Sequence, residues 1–200
     1  SSLGPPGSKT PCPKEMQKQQ QAKELLMKAS RAEKEVTPAL TNLAQQHGLK
    51  MEGLDFRLKS QDSLTRKLGE TAQEDIRDAL RYTMVGDPKV LASSSKATLE
   101  TLQAQGYEVL KVKNSFKPGA PYKGVNTQIK APDGQVFELQ FHTLQSFHTK
   151  QNLSHELYEK MRVLPDADPR KAELARELVK ISDPIVAPKG LEDALKGFRR

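Results

Sequence analysis

The sequence predicts an α+β domain, a mixed sheet of about five strands with helices packed around it. Three observations carry this. Val136 to His142 alternates strictly, with Phe137, Leu139 and Phe141 on one face and Glu138, Gln140 and His142 on the other. Asp133-Gly134 ahead of it is a hairpin-turn signal, with Val125-Asn-Thr-Gln-Ile-Lys130 as the partner strand. Toward the N-terminus the chain is rich in Lys, Gln, Glu and Ala, and Leu25, Leu26, Ala29 and Ala32 form one apolar stripe at helical spacing.

Taken in order, Ser1 to Pro13 is a Ser/Pro/Gly linker that fits a domain cut from a longer protein, leaving 14–200 as the folded domain. A long helix from Lys14 is expected to break before Pro38, with a second helix ending at Gly48. A strand over 51–58 and a helix over 62–70 follow, then a helix over 72–79 and a strand over 80–85. Asp87-Pro88 reads as an N-cap with Pro at the first helical position, opening a helix that runs to Gln105 with Gly106 as its cap. Tyr107 to Phe116 alternates as a strand, and Lys117-Pro-Gly-Ala-Pro121 is a loop before the hairpin. A helix over 144–162, a break at Pro165–Pro169, a helix over 169–182 and a short helix near Leu191–Phe198 complete the chain.

Two hundred residues suffice for one domain with a genuine core, although only 36% are hydrophobic and Trp is absent. The net charge of +7 (32 basic against 25 acidic) favours anionic partners such as nucleotides, nucleic acid or an acidic protein. The single cysteine, Cys12, excludes an internal disulfide. No apolar run approaches the roughly 20 residues that span a bilayer, and the N-terminus has no signal-peptide pattern. Export would therefore need information carried by an upstream part.

The most informative stretch is Arg57-x-Lys59-x-x-x-Ser63-x-x-x-Lys67. In an extended strand Arg57 and Lys59 share a face while Phe56 and Leu58 turn inward. On a helix Ser63 and Lys67 stack on one side. A strand turning into a helix here aims these four groups and the free N–H groups of the helix start at one point, which suits a polyphosphate. A basic amphipathic hairpin with solvated charges fits the composition equally well.

The order of motifs adds a resemblance. Arg-x-Lys-x3-Ser-x3-Lys is followed by an Asp just before a strand beginning Leu80-Arg81, then by Tyr122-Lys-Gly-Val-Asn126, then by Glu138-Leu-Gln-Phe-His-Thr143. This resembles the synthetase domain of RelA/SpoT-homologue enzymes, over roughly residues 50–162. Those are alarmone pyrophosphokinases of nucleotidyltransferase-like fold, which move the β,γ-pyrophosphate of ATP onto the 3′-hydroxyl of a purine nucleotide. The wording of Ile76–Thr83, Tyr122–Thr127, Glu138–Thr143 and His155–Glu159 is closer to the toxin branch at the C-terminal ends of secreted effectors. Within that branch it is most similar to type VI secretion effectors that make adenosine 3′-pyrophosphates, (p)ppApp.

The resemblance implies roles. Arg57, Lys59, Ser63 and Lys67 would cradle the ATP phosphates, with Arg81 beside the donor base or its phosphates. Asp78 would hold Mg²⁺, with Asp75 as the alternative, because the family's Asp usually stands further upstream of the strand Arg. Glu138 would be a second metal ligand, a base toward the acceptor hydroxyl, or both. Tyr122 would stack on the acceptor base, beside Asn126, Gln140 and His142. Asn126 stands where the family usually has His, and His142 where it usually has Arg. The implied setting is a secreted effector acting in the cytoplasm of a target bacterium, with ATP and a purine nucleotide as substrates. A cognate immunity protein would be a partner, acidic to complement the charge; neither membrane nor a stable nucleic-acid complex is expected. The acceptor is expected to be an adenine nucleotide, since both altered residues lie on the acceptor side.

Other readings are weaker. A (p)ppGpp synthetase or a tRNA 3′-pyrophosphokinase would use the same donor side. A mono-ADP-ribosyltransferase wants Glu-x-Glu or Gln-x-Glu and a Ser-Thr-Ser-like strand, whereas Glu138-Leu-Gln140 has the other order and Ser93-Ser-Ser95 falls in a predicted helix. An RNA-binding module would want more aromatic residues than 5% of the chain. His148 and His155 share a helix face by spacing, but structural zinc takes four ligands and no Cys or third His is near. They are expected to line the cleft or cap the helix, and Lys150, Tyr158 and Arg162 can reach the same face, with helical periodicity alone not choosing among them.

Overall fold

The computed structural model describes residues 12–198. The expected linker therefore lies outside the described residues except for Cys12, at the N-cap position, and Pro13, which opens the first helix. That helix, α1, runs unbroken over Pro13–Gln46, so the break expected before Pro38 does not occur. Proline costs a helix one N–H donor and frees one carbonyl. Here Pro38 faces solvent, where water can satisfy that carbonyl, while Val36 and Leu40 on either side are buried and hold the helix down.

Five strands form one sheet in the order β1 (Lys50–Glu52), β2 (Arg81–Val85), β5 (Val136–His142), β4 (Val125–Lys130), β3 (Glu108–Asn114). Only β2 and β5 run parallel, so the sheet is mixed as expected. The β4–β5 hairpin closes through Asp133-Gly134, where Gly134 takes a φ of 96°, open to glycine at no steric cost. One face of the sheet is apolar: Met84, Ile129, Phe137, Leu139 and Phe141 are fully buried against α1 and α3 (Leu91–Ala104). Tyr82 and Tyr107 both meet the Phe137 ring edge-on, at 5.8 and 6.1 Å. Each such side chain contributes about 1.5–3 kcal/mol by leaving water.

The other face is polar because side chains alternate. Arg81 pairs in register with Glu138 and Thr83 with Gln140 on one side. Gln128 pairs with Glu138 and Asn126 with Gln140 on the other. Lys111 and Lys113 extend this face onto edge strand β3. Glu138 thus sits on the central strand, between a cationic and a polar neighbour.

Three further elements differ from expectation. The strand over 51–58 stops at Glu52, where Gly53 adopts a left-handed φ of 71° and the chain turns through a 3-10 helix, Leu54–Phe56. Only then does it become extended again, Leu58 bridging Leu80, Lys59 N–H donating to Ala79 and Arg81 N–H to Arg57. The helix expected over 72–79 is a single 3-10 turn, Gln73–Asp75, because 76–80 is used for this pairing and buries Ile76, Ala79 and Leu80. Helix α3 starts at Leu91, a turn later than Pro88, since Asp87 first accepts from the Lys89, Val90 and Leu91 N–H groups. Its end is as expected, with Gly106 at a φ of 91°.

Helix α2 covers Gln61–Lys67. The helix predicted over 144–162 is continuous but not uniform: α4 (Leu144–His148) passes through a π-helical turn, Thr149–Ser154, into α5 (His155–Arg162). Helix α6 (Pro169–Ser182) is capped by the Asp168 side chain, and α7 (Leu191–Leu195) leads into a last 3-10 turn, Lys196–Phe198. Among the described residues no helix is long and apolar enough to cross a membrane.

Candidate active site

Lys59 and Lys67 converge on one carboxylate. Ser60 caps α2 by accepting from the Ser63 N–H at 3.1 Å, which fixes the helix so that its last residue, Lys67, returns toward the strand. Lys59 Nζ donates to Asp78 Oδ2 at 2.7 Å and Lys67 Nζ to Oδ1 at 2.8 Å. Burial alone would raise the Asp78 carboxyl, but the hydrogen bonds from the two lysines outweigh it and hold it below the ordinary aspartate value. Burial also lowers Lys59, against the pull of Asp78. Asp75 is exposed in the 3-10 turn, so Asp78 is the carboxylate between the lysines.

The predicted quartet is otherwise divided. Arg57 is not in this cluster: its Nε donates to Glu33 on α1 at 2.9 Å and its Nη1 to the Leu54 carbonyl at 2.8 Å. The 3-10 turn rotates the chain, so the strand-like sharing of a face by Arg57 and Lys59 is lost. Phe56, expected to point inward, is 66% exposed for the same reason. Ser63 accepts from the Ser60 hydroxyl at 2.9 Å and from Arg66 at 3.3 Å on the outer side of α2.

Beside the cluster, the polar sheet face and the π-helical turn enclose a cleft of about 440 Å³, within the usual range of small-molecule sites. Phe56, Arg81, Glu138, Gln140, Lys150 and His155 line it. Lys150 donates to Gln140 Oε1 at 2.9 Å, and Gln140 Nε2 donates to Glu138. Burial lowers Lys150; Glu138 opposes that shift and Arg81 adds to it. Arg81 N–H donates to the Arg57 carbonyl, two residues before Lys59, and its side chain lines the cleft, so it joins the lysine-bearing segment to the cleft.

Tyr122, Asn126, Gln140 and His142 do come together, but they face one another. The Tyr122 hydroxyl lies 2.7 Å from Asn126 Oδ1, 2.9 Å from His142 Nε2 and 3.2 Å from Gln140 Oε1. Ser146, part of the Thr143–Ser146 capping box that starts α4, contacts His142 Nδ1 at 2.8 Å. Every donor is used if Ser146 donates to Nδ1, Nε2–H to Tyr122 or Gln140, and Tyr122 to Asn126. Burial, then Lys150, pushes His142 down to about 3, so its imidazole is neutral. Burial raises the Tyr122 phenol, and Glu138 raises it further. A Cβ on Gly124 would lie 2.6 Å from both the His142 ring and the Tyr122 hydroxyl, so the motif's glycine allows this closure. Tyr122 also lines a second cavity of about 490 Å³, beside Lys113, Asn114 and Lys117.

Glu33 is not legible as a site residue, and Lys150 is legible only as one of three residues able to reach the helix face of His148 and His155. Lys150 reaches the sheet through the π-helical turn, which ordinary helical spacing does not anticipate. Glu33 is one of many charged residues on a long helix. His155 lines the cleft as expected, while the exposed His148 pairs with Asn152 at 2.9 Å instead. Among the described residues no three His, Cys, Asp or Glu side chains converge on one point.

No protein-family model matches the sequence, and no curated protein does. Solved structures do match in fold. The type VI effector Tas1, in complex with its immunity protein, is 20% identical with a TM-score of 0.61, covering 80% of this chain and 94% of that one. Small alarmone synthetase 2 of Bacillus subtilis is 18% identical with a TM-score of 0.58, over 80% and 90% of the two chains. Small alarmone synthetase 1 of the same organism, bound to its product pppGpp, is 15% identical with a TM-score of 0.56, over 82% and 92%. The chain thus has the alarmone-synthetase fold that its motifs resemble.

Proposed function

We propose that the domain is an ATP-dependent pyrophosphokinase acting on the 3′-hydroxyl of a purine nucleotide. The observation that carries this is the row of cations from Lys67 and Lys59 through Arg81 to Lys150, with Asp78 and Glu138 as the two acidic groups beside them. Transfer of a polyphosphate asks mainly for positioning and charge neutralisation, and this row supplies both. Its resemblance in fold to alarmone synthetases and to a type VI effector supports the same reading.

In this reading Lys59 and Lys67 exchange the Asp78 oxygens for the phosphate oxygens of ATP. Asp78, freed from the lysines, and Glu138 are the carboxylates that would hold Mg²⁺, an ion that takes one or two carboxylates together with substrate phosphates. Bound there, Mg²⁺ would neutralise charge on the phosphate chain. The acceptor 3′-oxygen attacks the β-phosphorus, the bond from that phosphorus to the α-bridging oxygen breaks, and AMP leaves. Glu138, oriented by the Gln140 amide, takes the proton of the attacking hydroxyl.

We further infer that the acceptor is an adenine nucleotide, giving (p)ppApp, and that the domain is a secreted toxin held in check by an immunity protein. The neutral His142 and the Asn126 bonded to Tyr122 support an acceptor side unlike that of the guanine-directed enzymes. The Tas1 neighbour, crystallised with its immunity protein, supports the toxin setting. An ADP-ribosyltransferase is disfavoured: Ser94 and Ser95 lie buried in α3, Ser95 bonded to the Leu91 carbonyl.

The test is to incubate the protein with ATP and Mg²⁺ plus ADP, GDP or NAD, and to resolve the nucleotides. One AMP released per 3′-pyrophosphorylated product is expected. Absence of AMP, or consumption of NAD instead, overturns the proposal.

A further inference from the structure

Phe56 is an exposed aromatic residue held in place by an unusual amount of polar scaffolding. Its N–H donates to Gly53 at 2.9 Å, closing the 3-10 turn, and its carbonyl accepts from Arg81 Nε at 3.2 Å. One residue on, Arg57 clamps the same turn to α1 through Glu33 and to the Leu54 carbonyl. Gly53 begins the turn at a φ of 71°, a conformation that glycine adopts freely. All of these bonds fix the backbone, and none engages the ring, which stays 66% exposed at the wall of the cleft that Arg81 and Glu138 also line.

We propose that the Phe56 ring supplies the stacking face, a platform for the base of the donor nucleotide, next to the Arg81 expected there from the order of motifs. The inference rests on the pyrophosphokinase reading and names a residue of its donor site. An aromatic face binds a purine by stacking. Arg57, the cation next along the chain, is held by Glu33 and serves instead to present Phe56. The phosphates then run from the base toward Lys59, on the extended segment paired beside Arg81, and toward Lys67 at the end of α2, which meets Lys59 at Asp78.

The chain has no Trp, so Phe56→Trp creates a single tryptophan at the proposed contact. Its fluorescence should be quenched by AMP and by ATP and left unchanged by inorganic tripolyphosphate, which lacks a base. Phe56→Ala, which removes an exposed side chain and should leave the thermal unfolding midpoint within a degree or two, should raise the KM for ATP about 5- to 150-fold. Its kcat should stay within a few-fold, and tripolyphosphate should inhibit it as well as it inhibits the unaltered protein. Quenching without any nucleotide product would uphold the platform while removing the proposed reaction. An unquenched indole, or an unchanged KM for ATP in Phe56→Ala, in protein that still transfers pyrophosphate overturns the platform and leaves the reaction standing.

Discussion

Arg57 donates from Nε to Glu33 at 2.9 Å, and this ion pair turns it away from the lysines that follow it in the motif. Glu33 is held below the usual carboxylate range first by that hydrogen bond, and it also accepts from Thr37, whose hydroxyl meets Tyr82 at 2.7 Å. One half-buried network therefore joins α1, the 3-10 turn and β2.

It follows that Arg57→Ala and Glu33→Ala should behave alike. Each should lower stability by about 1 kcal/mol, and the double variant by little more than either, because the partners form one unit. Lys59→Ala and Lys67→Ala should differ from both, losing about 10- to 150-fold in kcat/KM through a missing charge-assisted contact of about 1.5–3 kcal/mol. Denaturant titrations and initial rates for the five variants decide this. A large loss of activity in Arg57→Ala with full activity in Glu33→Ala would mean that the guanidinium reaches the phosphates after all.

Glu138→Gln should abolish turnover and leave the fold intact. The carboxylate lies on the polar face, while Phe137 and Leu139 on either side are fully buried and carry the packing. The amide keeps the shape and cannot take the proton. Circular dichroism and rates at saturating ATP are the readouts, and turnover within tenfold of the unaltered enzyme removes Glu138 from the reaction.

His142 makes stability depend on pH. Its folded value, about 3, lies below the ordinary 6.5, so the unfolded chain binds the extra proton first. Its contribution is complete above about pH 6.5 and declines steadily as pH falls toward 3. Unfolding free energies at pH 7, 6 and 5 should fall in that order, and the slope should flatten in His142→Asn. Equal slopes in the two proteins would show that His142 is not buried in its neutral form.

How far the sequence reached depends on the kind of signal. The β4–β5 hairpin was legible because strict alternation and Asp133-Gly134 are both local, and the polar row Glu138, Gln140, His142 came with it. The Tyr122–Asn126 motif and the lysines of the basic motif were likewise found as residues. Asp78 was found too, as a metal ligand, but its pairing with the two lysines and that of Glu33 with Arg57 were not, since they depend on contacts distant in sequence. Phe56 was misplaced because Gly53 ends β1 after three paired residues, and a hydrophobic pattern cannot report where a sheet stops pairing. Lys150 could not be singled out from Tyr158 and Arg162, because a π-helical turn shifts the register by which helical faces are read.

The acceptor base is the sharpest consequence of the site. His142 is neutral and closed into hydrogen bonds with Tyr122 and Ser146, so it brings no positive charge to the proposed acceptor side. Asn126 Oδ1 is already taken by the Tyr122 hydroxyl at 2.7 Å. A base that needs a cationic or imidazolium donor from position 126 or 142 finds neither. Offered equal ADP and GDP with ATP and Mg²⁺, the enzyme should form mainly adenosine 3′-pyrophosphates. His142→Arg, which returns a permanent cation to that position, should shift the product ratio toward guanosine if the variant folds; Gln140→Arg, at a less buried position on the same face, provides the second test. A product that is mostly ppGpp from the unaltered protein assigns the domain to guanine acceptors and refutes the adenine reading. Label on tRNA with no free-nucleotide product would make RNA the acceptor.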